Sequence, residues 1–300
     1  MKNSHSLLGH LACFTAYTIF GLNIVVCKDL TSSGAISPIA LFCLRSLGAG
    51  VLFWIISLFL PKESVEKRDL PKIFAASVLG FFLTQICFLM AISQITPMDC
   101  SIITSLSPIY TMFIAAYSLK EPLSIQKIGG VAMSLFGIIY LILNSTASSG
   151  GVAETTPIGV LLMIGNSLCF SLYLGIFKPT IAKYSVVTFM KWTFLFASML
   201  ALPFSAKELL HLNFATLPTS YLTELVFLII CATFITYFLI PVGQKILRPT
   251  LVSMYSYVQP IIAIVVSIYI GMDTLSWQKV LSAATVFTGV VIVSYSRSKN

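Results

Sequence analysis

A chain of 300 residues in which 57% are hydrophobic and only 9% charged cannot clothe a soluble fold of that size, and a mean hydropathy of +0.96 gives it a bilayer as solvent. The net charge of +8 does not point to nucleic acid, because the cations flank apolar runs and build no clustered basic face. The seven cysteines contain no CxxC pair and lie mostly within apolar runs, where packing as small apolar groups is their expected role.

Apolar runs of about 20 residues, enough to cross about 30 Å of hydrocarbon as helix, fall near 7–27, 36–60, 70–93, 99–117, 124–144, 157–178, 185–205, 218–241, 249–270 and 276–296. They predict an all-α membrane protein with ten transmembrane helices; β-barrel strands would be short alternating segments instead. The first run is too long for a secretory signal and ends in Asn23 and Lys28 without a small-residue cleavage site, so it is expected to be retained. The second carries Arg45, about 13 Å along the helix at 1.5 Å per residue, too deep for easy snorkelling.

Thr84 and Gln85 fall in the third run. The fourth places Ser101, Thr104, Ser105, Pro108 and Thr111 at helical spacing on one face, opposite Ile102, Ile103, Leu106, Ile109 and Phe113. Residues 145–156 form the longest stretch without apolar periodicity or positive charge and read as a linker loop at the midpoint. Asn166 and Tyr173 follow in the sixth run, and Lys191 lies near enough to the end of the seventh to snorkel. Glu224, Thr236 and Tyr237 lie in the eighth, and Ser253, Ser256, Tyr257, Gln259 and Pro260 in the ninth. Glu224, about 9 Å along its helix, enters from the same side as Arg45; the two pair, or Arg45 satisfies backbone carbonyls.

Cation placement sets the orientation. With the N-terminus cytoplasmic, the inner loops collect most of the Lys and Arg residues, including Lys62, Lys67, Arg68, Lys72, Lys183, Lys245 and Arg248, while the outer loops keep Lys28, Lys207 and Lys279. Both termini are therefore expected in the cytoplasm.

Two segments repeat about 152 positions apart. Pro97, Ser101, Pro108, Tyr117, Leu123, Ser124, Gln126, Lys127, Ala132 and Gly137 recur without a gap as Pro249, Ser253, Pro260, Tyr269, Leu275, Ser276, Gln278, Lys279, Ala284 and Gly289. Thr84 meets Thr236 at the same offset, and Phe20 and Lys28 meet Phe170 and Lys178 at about 150. The expected organisation is a first half at 1–144, the linker at 145–156 and a second half at 157–300. Each half has an odd number of spans, so the halves face opposite ways: two inverted five-helix repeats, the architecture of alternating access.

The stretch Lys120-Glu121-Pro122-Leu123-Ser124-Ile125-Gln126-Lys127-Ile128-Gly129 followed by Gly137, Pro108 in the fourth span and Phe20-Gly21-Leu22-Asn23 in the first resemble the EamA family of the drug/metabolite transporter superfamily, with two EamA domains over nearly the whole chain. Asp273 stands where the second-half signature has Glu. The resemblance implies a secondary carrier of the bacterial inner membrane, exporting an amino-acid-like or drug-like metabolite, with a central cavity lined by spans 1, 3, 4, 6, 8 and 9.

Large polar groups within spans must be buried or wet, since each costs several kcal/mol facing lipid. The candidate cavity residues are Asn23, Thr84, Gln85, Thr104, Ser105, Asn166, Tyr173, Thr236, Tyr237, Tyr257 and Gln259, with Pro108 and Pro260 as hinges and Arg45 and Glu224 as intramembrane charges. The competing reading makes the Ser and Thr hydroxyls helix-packing contacts of about 1 kcal/mol each.

Other classes are expected to fail. His5, His10 and His211 read as lying outside the spans, which leaves no catalytic, zinc or haem set, and no Gly-x-x-x-x-Gly-Lys motif is present. No enzyme activity and no cofactor are expected. The expected partners are a small-molecule substrate and the lipid bilayer, without nucleic acid, and a homodimer stays open. A channel or a structural membrane protein is the alternative class.

Overall fold

A computed structural model describes residues 2–119, 125–145, 155–212, 214 and 217–295. Residues 120–124 and 146–154, which carry much of the loop signature and of the expected linker, lie outside the described residues. Every regular element described is helical: α1 (Lys2–Ser32), α2 (Pro38–Leu58), α3 (Leu70–Ser77), α4 (Thr84–Ile92), α5 (Pro97–Thr104), α6 (Ser107–Leu119), α7 (Ile125–Ser145), α8 (Pro157–Ile176), α9 (Lys178–Lys183), α10 (Val186–His211), α11 (Thr219–Ile229), α12 (Thr236–Ile246), α13 (Pro249–Met254), α14 (Val258–Tyr269) and α15 (Trp277–Tyr295). Among the described residues, seven helical stretches are long and apolar enough to cross a membrane, and Ile128–Leu141 is a shorter apolar helix.

The sequence states where the helices begin. Ser37, Thr96, Thr156 and Ser185 each accept the backbone N–H three residues on, from Ala40, Asp99, Gly159 and Thr188. Three of them precede a proline at the first helical position, where a missing N–H costs nothing.

Interior interruptions have local causes as well. A π-helical turn at Val78–Leu83 joins α3 to α4, and a second at Ile230–Ile235 joins α11 to α12. Each is closed by the threonine that follows it: the Thr84 hydroxyl donates to Leu79 O at 2.6 Å and the Thr236 hydroxyl to Cys231 O at 2.8 Å. A hydroxyl reaching five residues back occupies a carbonyl that the widened turn leaves weakly bonded. Pro108 and Pro260 act differently, since each lacks an N–H and its ring crowds the carbonyl four residues earlier. The helix breaks between Thr104 and Ser107 in the first half, and tightens to a 3₁₀ turn at Tyr255–Tyr257 in the second.

Reciprocal contacts relate the halves by a pseudo-two-fold axis. A Cβ added at Gly137 on α7 would meet Val286 and Ser282 O of α15, and one at Gly289 on α15 would meet Ser134 and Gly130 O of α7. The Ser134 hydroxyl donates to Val286 O at 3.2 Å, between positions 152 apart. The ends of α2 and α10 also exchange contacts: Glu63, in the segment after α2, accepts from the N-cap Ser185 of α10, while Glu208 of α10 accepts from the N-cap Ser37 of α2. Lys28 and Lys178 reach the carbonyls of Ser93 and Leu247, at 3.4 and 2.5 Å.

The core is aromatic where α2, α3, α10 and the π-turns meet. Phe53 stacks on Phe194 with centroids 5.4 Å apart, and Phe81 stands edge-on to Phe194 at 4.4 Å. Many large apolar side chains remain exposed around the outside, such as Phe59, Leu161, Phe204 and Ile261, as a lipid-facing surface requires. Lys191 stands over the Trp54 ring, 5.0 Å from its centroid. One histidine departs from expectation: His10 lies within α1, and its Nδ1 is 2.6 Å from the Tyr255 hydroxyl.

Candidate functional site: a central cavity between the repeats

Six elements surround a cavity of about 60 Å³, at the level where the chain is interrupted. Helix α1 supplies Tyr17, Phe20, Asn23 and Ile24, α4 supplies Thr84, Gln85 and Phe88, and α8 supplies Met163, Asn166 and Phe170. Thr104 and Ser107 come from the break before Pro108, Ser256 and Gln259 from the break before Pro260, and Tyr237 from α12. The prolines therefore turn small hydroxyl residues inward from the ends of broken helices, and the π-turns do the same for Gln85 and Tyr237.

Gln85 and Tyr237 meet. The Gln85 Nε2 donates to the Tyr237 hydroxyl at 2.9 Å, and the two residues are 152 positions apart. Repeat-equivalent residues that touch lie near the pseudo-two-fold axis, so this hydrogen bond ties the halves at the cavity wall. Asn166 Nδ2 donates to Thr84 O at 2.8 Å and links α8 to the end of the first π-turn. Phe20 stands edge-on to Tyr237 at 6.0 Å and to Phe170, its repeat equivalent, at 6.4 Å.

Of the eleven residues expected in the cavity, seven line it: Asn23, Thr84, Gln85, Thr104, Asn166, Tyr237 and Gln259. Four stand elsewhere. The Ser105 hydroxyl turns back to Ile102 O at 2.5 Å, and Thr236 is spent on its π-turn. Tyr173 packs beside Phe170 and covers Gly80, while Tyr257 lies edge-on to Phe287 at 6.2 Å. Sequence reasoning did not put Tyr17, Phe20, Phe88 or Phe170 in the wall, although the Phe20 and Phe170 repeat was a usable signal.

Arg45 is 1% exposed and makes neither of the contacts expected for it. Its Nε donates to the Thr233 hydroxyl at 2.9 Å and its Nη1 to Cys27 Sγ at 3.4 Å, and Cys27 in turn contacts Asn23 Oδ1 at 3.5 Å. Glu224 faces Asp29 instead.

Charged groups gather at the two ends. At one, Lys279 is 2.5 Å from Asp273 and 3.8 Å from Asp99, and the Thr155 hydroxyl donates to Asp99. Asp273 also accepts the Met98 N–H at 3.1 Å. At the other, Asp69 accepts from Lys183 at 2.5 Å, from the Tyr184 hydroxyl at 2.7 Å and from Lys72 at 2.9 Å. Those three donors, Lys183 foremost, hold the Asp69 carboxyl well below the usual carboxylate range. No cluster of three or more metal-ligating side chains occurs among the described residues.

The sequence profile of the EamA-like transporter family matches this chain twice, at residues 7–143 and 157–295. The chain belongs to the EamA-like transporter family. Among EamA-related proteins, an uncharacterized transporter of Archaeoglobus fulgidus is 24% identical over 262 residues, covering 87% of this chain and 90% of that protein. The uncharacterized transporter YetK of Bacillus subtilis is 22% identical, covering 94% and 86%, and the uncharacterized inner membrane transporter YicL of Salmonella typhimurium is 20% identical, covering 95% of each. A solved crystal structure at 19% identity superposes with a TM-score of 0.63 over 98% of this chain and 97% of that one, a likeness of fold. With its apolar helices and its family, the chain is a multi-pass membrane protein of transporter type.

Proposed function

We propose that this EamA-family protein is a ten-span secondary transporter of the bacterial inner membrane, with both termini cytoplasmic, that exports a small organic metabolite by alternating access. The observation that carries the reading is the Gln85 to Tyr237 hydrogen bond between repeat-equivalent residues at the wall of a central cavity. Two halves of the same fold can trade conformations about such an axis, opening the cavity to one side and then the other. Pro108 and Pro260 mark where the helices bend in that exchange. The short chain of contacts from Arg45 to Asn23 stiffens one wall, and the end bearing Asp69 is the cytoplasmic one.

Reconstitution tests this directly. In proteoliposomes a carrier gives saturable counterflow of a transported metabolite, found by comparing medium metabolites of deletion and overexpressing cells; a channel gives leak without counterflow. A cysteine at Ser32 should react with an impermeant maleimide in intact cells, and one at Ser64 only after lysis. Labelling of Ser64 from outside would overturn the orientation.

A further inference from the structure

Resting on that reading of the cavity, we propose that the cargo is an uncharged solute with an amide- or lactam-type edge, a donor and an acceptor side by side, which replaces the Gln85 to Tyr237 hydrogen bond and is held by both halves at once. Among the described residues the lining contains no Asp, Glu, Lys, Arg or His. Its polarity comes from the four carboxamides of Asn23, Gln85, Asn166 and Gln259, together with hydroxyls. An ion entering such a wall loses its hydration without gaining a counter-charge, whereas a neutral amide exchanges water for equivalent hydrogen bonds.

The wall's bonding capacity is unevenly used. The second end of the Gln85 amide, the Tyr17 hydroxyl and the Ser256 hydroxyl are buried around the same void without a protein partner. They come from α4, α1 and the 3₁₀ turn before α14, so one flat solute can reach all three only from the centre. Phe20 and Phe170 supply apolar surface for its faces. A volume of about 60 Å³ holds roughly two waters, so the cargo enters by parting the halves, and the first bond to part is the one it can replace.

Arg45 sharpens the charge argument. Its guanidinium bonds Thr233 and Cys27, and Cys27 contacts the lining Asn23, a position that repels a cation from the cavity.

Equilibrium binding to the purified full chain in lipid nanodiscs tests this with flat solutes in which charge is the main variable: nicotinamide and uracil neutral, nicotinate and orotate anionic, 1-methylnicotinamide cationic. A neutral member should bind at least about tenfold tighter than its charged counterparts. Gln85→Leu should weaken it about tenfold, and Gln85→Glu, which keeps the shape and adds charge, should weaken it as much while eluting as a monodisperse protein. Tighter binding of the anions would overturn the proposal and make the Arg45 guanidinium the cargo's partner. Tighter binding of the cation, or no binding by any neutral member, would overturn it too. If neutral solutes bind tightest but Gln85→Leu, Gln85→Glu and Thr104→Trp all leave affinity unchanged, the charge preference stands and the central-cavity reading is what fails.

Discussion

The π-turn at Val78–Leu83 and the one at Ile230–Ile235 have the same backbone and opposite surroundings. In the first, Phe81 packs among Phe42, Phe194 and Tyr237, with centroids 5.5, 4.4 and 4.9 Å away. In the second, the equivalent position is Thr233, whose hydroxyl donates to Leu228 O at 2.7 Å and accepts from Arg45. The shared backbone is carried by a threonine that follows each turn, and the difference is confined to what fills the space beside it. Duplication thus preserved the elements that shape the cavity, and divergence acted on the wall behind them, where position 81 is aromatic and its equivalent, 233, is a threonine bound to a buried cation.

The largest effect expected is at Arg45. Arg45→Ala empties one of the largest fully buried side chains and strips Thr233 and Cys27 of a donor, which should cost about 4 kcal/mol of folded stability. Arg45→Met keeps most of the volume and removes the desolvated charge, so it should recover most of that loss. Thermal midpoints in detergent distinguish the two. If Arg45→Met falls as far as Arg45→Ala, the cation itself and not its volume stabilises the second π-turn, and the halves differ more deeply than their packing indicates.

A second test uses the reciprocal glycines. A Cβ at Gly289 would come 2.5 Å from Gly130 O and against the Ser134 hydroxyl, whereas one at Gly137 would meet Val286 Cγ2 at 2.8 Å and Ser282 O at 3.1 Å. A backbone oxygen gives way less easily than the end of a side chain. Gly289→Ala should therefore cost about 3 kcal/mol and Gly137→Ala about 1 kcal/mol, read as loss of monodisperse yield and thermal midpoint. Equal losses would mean that α7 and α15 shift as a unit to relieve either clash.

The π-turn threonines should behave alike. Thr84→Val and Thr236→Val keep shape and remove only the hydroxyl that reaches five residues back, so each should cost about 1 kcal/mol. A large inequality would show that the second turn leans on Arg45 and Thr233 for its closure while the first depends on Thr84.

What was legible in the sequence follows from cost. Asn23, Gln85, Asn166 and Gln259 could be assigned to the interior because an amide facing lipid is expensive, and the repeat could be read because ten positions keep one offset. The aromatic wall was not legible, since Tyr17, Phe20, Phe88 and Phe170 are as acceptable in packing or toward lipid as in a cavity. Ser105 and Tyr257 were placed in the wall by projecting their runs as continuous helices. The cavity is lined instead by Thr104 and Ser107 and by Ser256 and Gln259, pairs three residues apart on one helical face, which leaves the neighbouring Ser105 and Tyr257 turned away. Pairing Arg45 with Glu224 relied on depth alone, and depth carries no information about the direction in which a side chain leaves its helix.

The smallest effect concerns the two ends of the molecule and the pH range in which each is held. At one end Asp69 is ion-paired with Lys183 and Lys72, whose side chains are 37% and 60% exposed; at the other Lys279, 14% exposed, faces Asp273 and Asp99. Asp69 titrates below the usual carboxylate range in the folded protein because Lys183, Lys72 and Tyr184 donate to it. A depressed folded value means that the stabilisation is complete above the unfolded value, about 3.9, and is lost as the pH falls from there towards the folded value. Thermal midpoints of the wild type should therefore decline below about pH 4, and Asp69→Asn should lie below the wild type at neutral pH and converge on it in acid. Because the lysines are partly exposed, 1 M salt should shrink the neutral-pH gap. The same salt should change Asp273→Asn less, since Lys279 is more enclosed. If salt acts equally on both variants, the two ends are solvated alike and the contrast between them is one of sequence only.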